Sequence, residues 1–180
     1  ETVAFAQLQT LESDMTAISA ALWEEAQAQD HLECRAYPRF GFTFYTYNLD
    51  PEKSPFFQDV RTRQALLYAL DRQAMVESIV FGLADVAHSV VPPISWAHNP
   101  DNKPQYDYNP ATAKRLLDEA GWKDEDGDGV REAHGVEGVT DGAKFSIQVH
   151  TNAGNQEREQ VMVAIQPYWA QVGVEVKTAS

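Results

Sequence analysis

The stretch from Ser54 to Pro93, SPFFQDVRTRQALLYALDRQAMVESIVFGLADVAHSVVPP, constrains the fold most, because it holds two helix signals back to back and then a forced stop. Asp59 can act as an N-cap, its carboxylate accepting from the free N–H groups of a first turn. Val60, Leu66, Leu67 and Leu70 recur at helical spacing, with Ala65 and Ala69 as small packing residues and Arg61, Arg63 and Gln64 on a polar side. Asp71 can cap a second helix with an apolar face of Ala74, Met75, Ile79 and Val80, which Gly82 ends in a left-handed conformation. Pro92 and Pro93 then impose an extended path, since neither donates a hydrogen bond and each restricts the residue before it.

Around this corner the pattern alternates between helix and strand. Thr2 to Leu11 reads as a short helix, Asp14 to Ile18 as a strand candidate, and Ser19 or Ala20 to Gln29 as a helix carrying Leu22, Trp23 and Ala26. Leu32 to Tyr37 and Phe40 to Asn48 read as strands. In the second, Phe40, Phe42, Phe44 and Thr46 share one face and Gly41, Thr43, Tyr45 and Tyr47 the other. The phenylalanine face is expected in the core and the tyrosine face half-wet. His98 to Tyr108 is a polar loop. Asn109-Pro110 opens a helix, with Asn as cap and Pro at the first helical position. Lys123 to Gly142 reads as a long acidic loop and Ala143 to Thr151 as a strand. Asn155 opens a last helix with Val161, Ile165, Trp169 and Val172 as its stripe and Pro167 inside it. Val174 to Lys177 reads as the closing strand. This order predicts an α/β fold, a mixed sheet layered with helices.

A chain of 180 residues is long enough for one domain with a real core. The net charge of −13 disfavours nucleic acid, because an acidic surface repels phosphate. No apolar run reaches the roughly 18 residues of a membrane span. Glu1 opens into a helical pattern rather than a signal peptide. The lone Cys34 cannot close an internal disulfide and is expected as a buried, inert thiol.

Longer strings carry a resemblance. Pro55, Phe56, Asp59, Arg61, Arg63, Gln64, Ala65, Leu66, Ala69, Asp71, Arg72, Gly82, Pro92, Pro93 and Trp96 stand in the order seen in the family 5 extracellular solute-binding proteins, the peptide-, oligopeptide- and nickel-type receptors of ABC importers. The string YDYNPATAKRLLDEAGW resembles the same family, as do the opening ETVAFAQLQTLESDM and the ending VGVEVKTAS. The resemblance implies a periplasmic-binding-protein-like (type II) lobe. It further implies that residues 1–180 are a single domain, the inserted second lobe of a two-lobed protein and thus a fragment. The implied function is capture of peptides or a similar small solute by two-lobe closure. The implied partners are that solute, the ABC permease membrane subunits and the missing first lobe, in a periplasmic or cell-surface setting.

Ligand binding needs aromatic area and a few polar groups where strands end. Tyr45, Tyr47 and Asn48, then Trp96 and His98, then Thr151 and Asn152 meet that description. Each has a plainer reading: the tyrosines as the edge of the core, Trp96 as packing under its own loop, Asn152 as a turn former. The string DEDGDGVREAHG, 124–135, matches the opening of a calcium loop, with Asp124, Asp126 and Asp128 at positions one, three and five, and Gly129 at six. Val130 would offer its carbonyl at seven, and Glu132 falls at nine. Position twelve is Gly135 instead of the bidentate Glu. The alternatives here are a bound calcium, with a structural or interaction domain as the second functional reading, or a plain acidic turn. Catalysis has no support: the five histidines show no His-x-x-x-His spacing, and there is no Gly-x-Ser-x-Gly and no phosphate-binding glycine loop. No catalytic residue and no organic cofactor is expected.

Overall fold

Asp59 caps the first helix of the pair, its Oδ1 accepting from Arg61 N at 2.7 Å, and α3 runs Val60–Tyr68. Asp71 caps the next through Ala74 N at 2.9 Å, and α4 runs Arg72–Val80. The stop differs by one residue from expectation. Phe81 itself takes the left-handed conformation (φ 54°), and Gly82 follows it with positive φ. The computed structural model describes residues 2–101 and 106–179. Part of the expected His98–Tyr108 loop, including Pro104, lies outside the described residues.

The other helices are α1 (Thr2–Gln9), α2 (Trp23–Gln27, after a 3₁₀ turn over Ala20–Leu22), α5 (Pro110–Glu119) and α6 (Gln156–Ala170). Asn109 caps α5 through Thr112 N at 2.9 Å, and Asn155 caps α6 through Arg158 N at 3.0 Å. Helix α6 continues through Pro167. Strand β3 (Ser146–His150) pairs in parallel with β4 (Glu175–Ala179), and α6 is the crossover a parallel pair requires. The expected acidic loop is partly ordered: β1 (Trp122–Lys123) pairs antiparallel with β2 (Glu132–Ala133), and a bridge joins Glu132 to Lys144.

The core lies between α3, α5, α6 and the two ladders. Leu66, Leu117, Trp122, Phe145 and Trp169 are buried in it, and Trp122 stacks on Phe145 with centroids 4.1 Å apart. Burying such aromatic pairs contributes area and about 0.5–1.5 kcal/mol beyond it.

Three expected strands are not in a ladder. Residues 14–18, 32–37 and 40–48 form neither helix nor strand, and among the described residues no strand pairs with them. Strand propensity needs a neighbour to become a strand. The face assignment of 40–48 is also inverted. Phe40 and Phe44 are 71% and 67% exposed, while Tyr45 and Tyr47 pack on the core. Tyr45 lies edge-on to Trp169 at 5.8 Å, and Tyr47 lies 4.8 Å from Phe57 with its hydroxyl donating to the Arg63 carbonyl at 3.2 Å. The Arg63 carbonyl gives the Tyr47 hydroxyl a partner, so that ring is buried with its polar end satisfied. Cys34 is half-buried, not buried.

Candidate functional site

The expected binding residues fall into separate groups. Tyr45 and Tyr47 form an edge-on pair with centroids 5.4 Å apart. Burial pushes both hydroxyls above their ordinary value, so both remain protonated. Asn48 beside them is exposed, and its Oδ1 accepts from Asp50 N at 3.0 Å, which makes it a turn former.

The second group stands on the loop after the proline pair. Ser95 N donates to the Pro92 carbonyl and His98 N to the Ser95 carbonyl, so the chain folds tightly around Trp96 and pushes it outward. Trp96 is 96% exposed and does not pack under its loop. His98 Nδ1 lies 2.9 Å from the Val91 carbonyl. A carbonyl only accepts, so Nδ1 carries a proton. Arg72 anchors the neighbouring chain, donating to the carbonyls of Ala87 at 3.0 Å and Tyr106 at 2.8 Å. Sequence analysis placed Arg72 only within a family string; its forked reach from a helix start was the available signal.

The third group closes β3. Thr151 N donates to the Ala179 carbonyl at 3.2 Å, and Asn152 Oδ1 accepts from Arg158 at 2.9 Å, a local role again. Among the described residues, no hydrogen bond or ring contact joins these three groups to one another. A groove of about 450 Å³ runs along Val130, Gln166, Pro167 and Val176 and includes none of the residues expected to bind the solute. Of the expected aromatic ligand residues, Trp96 stands exposed on the surface while Tyr45 and Tyr47 pack on the core.

The acidic string does fold as a tight loop. Asp124 accepts from Gly127 N (2.9 Å) and Gly129 N (3.1 Å), Asp126 from Asp128 N (3.0 Å), and Asp128 from Val130 N (2.9 Å). Arg131, which sequence analysis passed over, is buried beneath it. Its guanidinium donates to the carbonyls of Val172 (2.7 Å) and Trp122 (2.5 Å) and to Asp118 (2.5 Å). Arg131 therefore ties the loop to the end of α6 and to α5.

Comparison with known proteins decides the family. The group described as bacterial extracellular solute-binding proteins, family 5 Middle, matches residues 1–180. The chain belongs to family 5. Its α/β architecture is accordingly of the type II periplasmic-binding-protein kind. Among relatives in family 5, the oligopeptide-binding protein AppA of Bacillus subtilis is 35% identical over 97% of this chain and 31% of its own length. Its solved structure with a nonapeptide superposes with a TM-score of 0.75 over 99% of this chain and 34% of that one. The heme-binding protein A of Haemophilus influenzae is 37% identical over 68% of the chain and 19% of its own length. The dipeptide-binding protein of Escherichia coli is 31% identical over 78% of the chain and 23% of its own length. The chain thus spans about a third or less of the length of these family 5 relatives.

Proposed function

We propose that this chain is one lobe of the substrate-binding component of an ABC importer, capturing peptides by closing against a second lobe. The observation that carries this reading is the match over 97% of the chain to an oligopeptide-binding protein. Family 5 consists of binding proteins, and the proposed role is non-catalytic. Residues 1–180 act as the second lobe, in the periplasm or at the cell surface, with permease subunits and a first lobe as partners.

Two features of the surface support the assignment. Trp96 stands out from a turn held by its own backbone hydrogen bonds, ready to lie against a ligand. Phe40, Phe42 and Phe44 form an exposed apolar row on a segment without a strand partner among the described residues, as a face that another lobe covers would. Closure of two lobes over a ligand is then a hinge motion in which the ligand stabilises the closed state. Tyr45 and Tyr47 act as the rigid floor beside it, with Asn48, His98, Thr151 and Asn152 at the rim.

The test is calorimetry of the whole protein with peptides from two to nine residues. Saturable binding with a negative heat-capacity change supports a peptide receptor that closes. A folded protein that stays silent across the library overturns the peptide assignment.

A further inference from the structure

One carboxylate oxygen from each of Asp124, Asp126, Asp128 and Glu132 lies within 4.8 Å of the other three. That span fits the coordination sphere of Ca²⁺, whose ligands sit about 2.3–2.6 Å from the ion and so up to about 5 Å from one another. An acidic cluster alone is an ordinary feature of a surface with 27 acidic residues. Glu132 is not ordinary. It is only 8% exposed, and its Oε2 accepts from Glu125 N at 3.2 Å. Its Oε1 is buried without any hydrogen-bond partner. A buried carboxylate oxygen without a donor is costly, and a cation among the neighbouring carboxylates would satisfy it.

The cation now beside the cluster is Lys144. Its ammonium pairs with Asp128 and lies 3.9 Å from Asp126. One ammonium faces four carboxylates and leaves most of their charge unbalanced. The geometry points to a calcium-binding site formed by Asp124, Asp126, Asp128 and Glu132, with the Val130 carbonyl at the seventh position of the loop and Lys144 as the group that the ion displaces. Calcium suits it better than magnesium, because Mg²⁺ demands a tighter octahedron and keeps several waters, whereas Ca²⁺ accepts a flexible cage of carboxylates. Bound calcium fixes the loop that carries Arg131 and so clamps β1 and β2 to the end of α6. This site is independent of what the aromatic surface binds.

The test is a calcium titration of the chelator-treated protein, by calorimetry and thermal unfolding. The expected result is one saturable site, in the range of about 10⁻⁴–10⁻³ M typical of extracellular modules, with a rise in Tm. Asp126→Asn keeps the loop hydrogen bond and is expected to weaken binding at least about tenfold, by ligand charge count. Glu132→Gln is expected to abolish it. Lys144→Met removes the competing ammonium and is expected to tighten binding several-fold. Absence of saturable calcium binding and of any Tm shift, in both folded wild type and Lys144→Met, overturns the site. Binding that Asp126→Asn and Glu132→Gln leave unchanged also overturns it.

Discussion

The indole Nε1 of Trp169 donates to the backbone carbonyl of Leu66 at 2.9 Å, across 103 positions of sequence and inside the core. Leu66 lies in the last turn of α3, where the helix tightens: Leu70 N turns to the Leu67 carbonyl, not to that of Leu66. The Leu66 carbonyl is therefore one of the acceptors that every helix end leaves over, and α6 supplies its donor. Trp169→Phe keeps most of the ring and removes the donor. It is expected to lower unfolding free energy by about 1–3 kcal/mol, measured by urea denaturation. A loss within experimental error would show that water reaches this carbonyl.

Arg131 joins three elements by one guanidinium. Arg131→Met leaves the Val172 and Trp122 carbonyls without this donor and Asp118 without its partner, and it is expected to destabilise by about 3–5 kcal/mol. Arg131→Lys restores charge but not the planar fork and should recover only part of that loss. Gly173 is coupled to it: φ is +87°, and an added Cβ would sit 2.6 Å from Arg131 Cγ. Gly173→Ala should destabilise strongly in the wild type and less in an Arg131→Ala background, which removes Cγ, a non-additivity that a double-mutant cycle reads directly.

Gly121 meets a harder obstacle. Its φ is +90°, and a Cβ there would lie 2.6 Å from the His134 carbonyl oxygen, whose backbone is held because His134 N donates to the Gly121 carbonyl at 2.8 Å. Gly121→Ala therefore strains the backbone and is expected to lower stability by about 1–3 kcal/mol in thermal or urea unfolding. An unchanged Tm would show that this contact relaxes freely.

What the sequence made legible were the locally coded elements. Asp59, Asp71, Asn109 and Asn155 each cap the helix they were expected to cap, because a cap is decided within three residues. The family strings in α3, α4 and α5 were legible for the same reason. Segments 14–18, 32–37 and 40–48 were misread as strands because a strand is decided by its neighbour, and alternation alone does not say which face finds one. The tyrosine face of 40–48 packs on Trp169 and Phe57, neighbours that no pattern in 40–48 announces. Arg131 was missed because its acceptors, Val172 and Trp122, are backbone groups brought near only by folding. Tyr45 and Tyr47 meet edge-on because they are neighbours on one segment; whether the separate groups converge on a ligand is not a local property.

The acid limb of stability should contain a step from Asp59. The Arg61 guanidinium beside it holds this carboxyl below its ordinary value, against partial burial, which pushes the other way. The unfolded chain protonates it near the usual aspartate value of about 3.9. The stabilisation from the pair is thus full above that value and is lost as pH falls through the lower folded value. Asp59→Ala also loses the cap and is expected to be less stable by about 1 kcal/mol at neutral pH. Asp59→Asn keeps an acceptor for Arg61 N, and its unfolding free energy should fall less steeply than that of the wild type below about pH 4. Equal slopes for the two proteins would remove Asp59 from the acid transition.

Trp96 separates binding from folding most cleanly. It is almost fully exposed, and the hydrogen bonds of its loop come from backbone groups and from the Ser89, Ser95 and His98 side chains, so little of the fold depends on its ring. Trp96→Ala should leave Tm unchanged, with a stability change within about 0.5 kcal/mol. A ring that lies against bound peptide is desolvated in the closed state and contributes as aromatic anchors do, at or above about 2 kcal/mol. Peptide affinity of the whole protein should then fall by at least about tenfold, the equivalent of about 1.4 kcal/mol. Trp96→Phe should recover part of it, because the apolar area is largely kept. Full peptide affinity in Trp96→Ala would move the binding surface away from this loop and towards Tyr45, Tyr47 and the end of β3.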